Sequence, residues 1–119
     1  MKRLLAFASA AEGLTGLALV GDPALVARVL FGSDITGAGV FMSRIAGLAL
    51  IAIGLGCWPD DNMRRAFYTM LTYSTLVLLY LVVVGIGGHA GILLWPAVAY
   101  HACLSVVLVL LWRKQATVA

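Results

Sequence analysis

Four stretches of this chain, residues 4–20, 40–58, 66–85 and 92–112, are almost wholly apolar, and each is close to the length needed to cross a lipid bilayer. In hydrocarbon no water is available to the backbone, so a crossing segment must satisfy its own N–H and C=O groups, and an α-helix does so with about 20 residues. The expected fold is therefore all-α: a polytopic membrane protein with four transmembrane helices. The composition agrees, with 63% apolar and 11% charged residues against roughly 45–50% and about 25% in a soluble domain. Four crossings with short connections use up the 119 residues, so residues 1–119 are expected to form a single transmembrane domain.

The breaks between the stretches are written in helix-stopping residues. Gly21, Asp22 and Pro23 end the first; Asp22 is a good N-cap and Pro23 suits the first helical position. The run that follows, 23–31, is too short to cross and is expected to lie in the interface as a small apolar helix, ending at Gly32. Pro59, Asp60, Asp61 and Asn62 separate the second and third spans, and the glycine-rich segment 85–91 turns the chain into the fourth. Lys2 and Arg3 ahead of an apolar run imitate a signal peptide. Only four apolar residues precede Ala8-Ser9-Ala10, however, and the run continues to Val20, so this segment reads as a retained span.

The basic residues fix orientation. Lys2, Arg3, Arg64, Arg65, Arg113 and Lys114 fall on one side of the membrane, whereas Arg28 is alone on the other and Arg44 lies inside a span. Short loops rich in Lys and Arg stay cytoplasmic, so both termini are expected on the cytoplasmic side. The net charge of +3 is thus explained by lipid headgroups, and no nucleic-acid partner is expected. Cys57 and Cys103 are too far apart for a metal or redox motif. His89 and His101 also lack ligand spacing, so neither a metal nor any other cofactor is expected.

An ionisable group inside hydrocarbon costs about 2.5–3.5 kcal/mol at a helix centre, which makes Glu12, Arg44 and His101 the residues to explain. On a 1.5 Å rise Glu12 lies about 12 Å from the inner edge and Tyr73 about 10 Å, with His101 near the midplane, so these three share a layer. Arg44 and Tyr80 sit nearer the outer face. Glu12 and Arg44 can form a buried ion pair or separate interhelical hydrogen bonds; alternatively, Glu12 is a proton or ligand site. Tyr73, Tyr80 and Thr69, at i, i+7 and i−4, are expected to form a polar stripe facing Glu12 and Arg44. The candidates for ligand binding or proton coupling are then Glu12, Arg44, Tyr73, Tyr80 and His101, with no catalytic set among them. Small residues mark the expected packing faces: Ser9, Gly13 and Gly16 on the first helix, and Ser43, Gly47 and Gly54 on the second.

Two resemblances bear on function. The segment Ala10-Ala11-Glu12-Gly13-Leu14-Thr15-Gly16 resembles the first helix of the small multidrug resistance transporters, which implies a proton- and cation-binding role for Glu12. Glu12-Gly13, Arg44-x-x-Gly47, Cys57-Trp58 and Leu94-Trp95-Pro96 followed by His101 are similar to short bacterial four-span proteins of DoxX-like layout, which implies a bacterial inner-membrane location. Three functional expectations follow. The first is a small non-catalytic subunit or assembly partner of a membrane complex, or a homo-oligomer. The second is a proton-coupled carrier of a small molecule using Glu12. The third is a lipid- or quinone-directed membrane enzyme with His101 as base.

Overall fold

The computed structural model describes residues 1–118 and is all-helical: α1 (Lys2–Gly21), α2 (Pro23–Phe31), α3 (Ala38–Gly56), α4 (Met63–Ile86) and α5 (Leu94–Val118). Four of the five, α1, α3, α4 and α5, are long and apolar enough to cross a membrane. Only 11–28% of the residues in their most apolar windows are buried inside the protein. Among the rest, Phe7, Leu14, Leu48 and Leu79 face outward as large apolar side chains. In water such a surface would aggregate; in a bilayer lipid covers it.

Local chemistry sets the helix ends. The Asp22 carboxylate accepts from Leu25 N at 3.1 Å with Pro23 in the first turn, which starts α2, and Gly32 at φ +68° ends it in the left-handed conformation that a glycine adopts without strain. α3 begins at Ala38 and ends at Gly56, shifted by two residues toward the N-terminus from the sequence expectation. Trp58 is excluded because the residue before a proline, here Pro59, disfavours helical geometry. α4 starts at Met63, three residues ahead of the apolar run, because the Asn62 side chain caps it by accepting from Arg65 N. α5 leaves Ile92 and Leu93 in the preceding turn and runs to Val118, since Arg113, Lys114 and Gln115 are good helix formers beyond the membrane. Pro96 is tolerated because the first-turn N–H groups have no intrahelical partner anyway.

The helices associate as two antiparallel pairs. In the first, α1 and α3 approach through glycines. A β-carbon added at Gly16 would stand 2.5 Å from the Gly47 carbonyl oxygen, and one at Gly54 would stand 2.6 Å from the Ser9 carbonyl oxygen. Gly13 contributes its backbone, which Gly54 abuts, while its own β position faces open space. Ser43, expected on this packing face, turns instead toward the cavity described below. In the second pair, α4 and α5 are held by a stack of Phe67 on Trp112, with ring centroids 4.4 Å apart and planes 12° apart, and by the Ser74 hydrogen bonds to α5.

The two pairs meet tightly at one end only. There Leu5 and Ala8 of α1, Cys57 after α3, Phe67 and Met70 of α4 and Leu104 and Leu108 of α5 form a continuous buried core. The six clustered Lys and Arg residues belong to this end. At the other end α2 bridges the pairs: its last carbonyls, Val29 O and Leu30 O, accept from Leu93 N at 2.8 Å and Gly91 N at 3.0 Å in the α4–α5 turn. The approach is close enough that a β-carbon on Gly91 would overlap Val29.

Candidate functional site

Between the helix pairs, under the roof formed by α2, lies a cavity of about 640 Å³. Its walls are apolar: Leu19 from α1, Val26, Leu30 and Phe31 from α2, Leu50 from α3, Val77 and Leu81 from α4, and Leu93 and Pro96 leading into α5. Its polar groups are few, and three of them, Glu12, Tyr73 and His101, collect where the cavity meets the closed core. An apolar pocket of several hundred Å³ with a few convergent polar groups is the usual form of a small-molecule site.

Glu12 is 3% exposed. The Tyr73 hydroxyl donates to its Oε2 at 2.9 Å, and among the described residues this is the only hydrogen bond the carboxylate receives. Arg44 does not pair with it. The sole ion pair among the described residues is Arg28–Asp34 at 3.0 Å on the exterior, and Arg44 is itself exposed on the outer surface of α3. Of the alternatives the sequence leaves open, the Glu12–Arg44 ion pair is therefore not formed among the described residues. The register of the Gly16–Gly47 crossing and the outward turn of the Arg44 face point the two side chains to different sides of α3.

Tyr80 is also corrected as a cavity-facing group, being 65% exposed. The residues of α4 that line the cavity are Tyr73, Val77 and Leu81, spaced by four, so the lining follows an i, i+4 row. That row inclines across the helix in the opposite sense to an i, i+7 row, which carries Tyr80 out toward lipid. Thr69 is likewise exposed, and the expected polar stripe reduces to Tyr73.

His101 is 7% exposed and is held by a compact network that spacing alone did not reveal. Ser74 Oγ lies 3.2 Å from His101 Nδ1, 3.1 Å from the His101 carbonyl oxygen and 3.2 Å from Ser105 Oγ. A serine hydroxyl has one proton and two lone pairs. All three contacts are hydrogen bonds in one arrangement: Ser74 donates to the carbonyl and accepts from Ser105 and from Nδ1–H. In that arrangement the imidazole is the Nδ1–H tautomer, which leaves the Nε2 lone pair free.

Tyr100 also lines the cavity, with its ring 5.0 Å from that of His101. Its hydroxyl is sealed without a partner, as is the Ser9 hydroxyl one turn before Glu12. Ser74 and Tyr100 are the neighbours of the candidate residues that sequence reasoning missed. The available signal was the adjacency of Ser74 to Tyr73 and of Tyr100 to His101, at matching depth on antiparallel helices.

Cys57 is buried in the core at the closed end of the bundle and Cys103 is exposed on the surface of α5. Among the described residues no three His, Cys, Asp or Glu side chains converge on one point. Compared with protein-family models, with curated proteins and with solved structures, the chain gives no match.

Proposed function

We propose that this protein is a proton-coupled carrier or binding protein that takes a small, largely apolar molecule into the cavity between its helix pairs, with Glu12 as the exchanging carboxyl. The observation that carries the reading is a lone carboxylate at an apolar cavity with no cationic side chain bonded to it among the described residues. A carboxylate so placed needs compensation, either by a proton or by a ligand. The titratable groups that face it are Tyr73 from α4, Tyr100 and His101 from α5, and the Cys57 thiol after α3, none of which carries a fixed positive charge. A passive assembly subunit requires none of this arrangement. The exposed apolar flanks that suggest a protein partner are covered equally well by lipid.

The location proposed is a bacterial inner membrane, with the basic end of the bundle and both termini cytoplasmic. A C-terminal reporter reading extracytoplasmic would reverse the topology.

The carrier reading is tested by infrared difference spectroscopy in nanodiscs at two pH values. A protonatable carboxyl band that disappears in Glu12→Gln while the protein remains folded supports it. Native mass spectrometry from the source membrane runs alongside, looking for small molecules retained by the native protein and lost in the variant. A stoichiometric second protein, together with a Glu12 that shows no protonation change, would sink the carrier reading and leave a subunit.

A further inference from the structure

The clustered basic residues at the closed end of the bundle differ in their surroundings. Arg64 lies over the Tyr68 ring, with its guanidinium carbon 5.9 Å from the centroid, and Asp60 and Asp61 sit in the loop just before it. Arg113 and Lys114, both exposed, belong to a helix that carries no Asp or Glu, and neither enters an ion pair among the described residues. They stand at one end of a shallow groove of about 470 Å³ on α5, lined by Val107, Leu110 and Leu111 and then by Arg113, Lys114 and Thr117. The Thr117 hydroxyl is spent on the Arg113 and Lys114 carbonyls, so the two cations are the side-chain donors left at the groove's polar end.

Helix periodicity makes this groove. Val107, Leu110, Leu111 and Lys114 fall at i, i+3, i+4 and i+7, one face of an α-helix, while Leu104 and Leu108 on another face are buried in the core. The aromatic residues beside it mark depth. Trp112 stacks on Phe67 and lies 5.6 Å from the Tyr68 ring, and Trp and Tyr concentrate where hydrocarbon meets headgroups. Arg113 and Lys114 follow Trp112 directly, so their charged ends reach headgroup level. Leu110 and Leu111, one turn back, lie against hydrocarbon. A pair of cations therefore caps an apolar lane that begins one turn beneath it.

We infer that this groove is the seat of one anionic phospholipid, its phosphodiester held between Arg113 and Lys114 and one acyl chain lying along Val107, Leu110 and Leu111. The guanidinium offers a phosphate two parallel N–H donors, and the ammonium beside it adds a compact point charge. A free phosphate ion would use the cations and leave the lane uncovered; the continuity of cations and lane selects a lipid. A zwitterionic lipid brings its own cation to a site that already holds two. An acidic segment of another protein would satisfy the charges, but its polar backbone has no partner along Val107, Leu110 and Leu111. The groove shares no residue with the Glu12 cavity, so this inference stands apart from the carrier reading.

The test is native mass spectrometry of the full-length protein, delipidated in mild detergent and titrated with dioleoylphosphatidylglycerol or dioleoylphosphatidylcholine, which share their chains and differ in charge. One phosphatidylglycerol is expected to bind in clear preference to phosphatidylcholine. Arg113→Gln with Lys114→Gln should weaken it about thirtyfold, at roughly fivefold per basic residue near the membrane surface. Lys2→Gln with Arg3→Gln removes the same charge from the same end outside the groove and should leave the affinity nearly unchanged. Leu110→Trp, which fills the lane and keeps both cations, should also weaken binding. All these side chains lie on the exterior, and far-ultraviolet circular dichroism checks that each variant is folded. Equal losses in the two double variants would mean attraction to the whole basic end and no seat on α5, which overturns the inference. So would equal affinity for the two lipids, or an unchanged affinity in Leu110→Trp. A co-purifying protein released by Arg113→Gln with Lys114→Gln, with no lipid bound, overturns it in favour of a protein partner.

Discussion

Gly16→Ala should separate α1 from α3 and destabilise the bundle, and the structure gives the size of the effect. The added β-carbon would lie 2.5 Å from Gly47 O and 2.9 Å from both Ile51 N and Ile51 Cγ1. Two of those three atoms are backbone, so no side-chain rotation relieves the clash. Restoring an ordinary contact of 3.4 Å or more moves the helix axes apart by about 0.9 Å. A gap of about 0.5–1 Å forfeits a quarter to a half of the dispersion well at each atom pair that faces it. The loss is therefore about 1–3 kcal/mol, the range typical of overpacked cores.

In a bilayer the helices have no hydrophobic drive to re-associate, which leaves packing as the main term. The assay is unfolding by sodium dodecyl sulfate in mixed micelles, followed by tryptophan fluorescence. Gly13→Ala is the control, because its β-carbon meets nothing within 4 Å. Equal stability of Gly16→Ala and Gly13→Ala would refute the argument. Gly47→Ala should cost a similar amount, and the double variant less than the sum, since one separation relieves both clashes.

Other outcomes follow from the same contacts. Tyr73→Phe, which removes the only hydrogen bond to the Glu12 side chain among the described residues, should lower stability by about 1 kcal/mol in the same unfolding assay. The ¹⁵N chemical shifts of His101 should identify the Nδ1–H tautomer in the native protein, and an Nε2–H tautomer would contradict the Ser74 arrangement. Gly91→Ala should push the C-terminal end of α2 off the α4–α5 turn, seen as faster thiol labelling of an Ala27→Cys reporter, a site 5% exposed in the native fold. Arg28→Ala should change stability by no more than about 0.5 kcal/mol, because the Arg28–Asp34 pair is mostly solvent-exposed.

The sequence by itself determined the fold class and all five helices to within a few residues at their ends, because the requirement that a membrane-crossing backbone bond to itself turns apolar length directly into helix. It also brought out the Glu12, Tyr73 and His101 layer, since depth along a helix is a matter of counting at 1.5 Å per residue. Its errors concern rotation and pairing. Arg44 and Tyr80 face outward on their helices rather than toward Glu12, and Ser74 and Tyr100 went unnoticed beside residues that were singled out. Depth is local to one helix, whereas the direction a side chain faces depends on how that helix crosses its neighbours. Here the Gly16–Gly47 contact and the i, i+4 row of α4 set that direction. The cavity likewise belongs to the tertiary structure alone. It exists because the two pairs close on each other at the Leu5, Phe67 and Leu108 end while α2 holds them apart at the other.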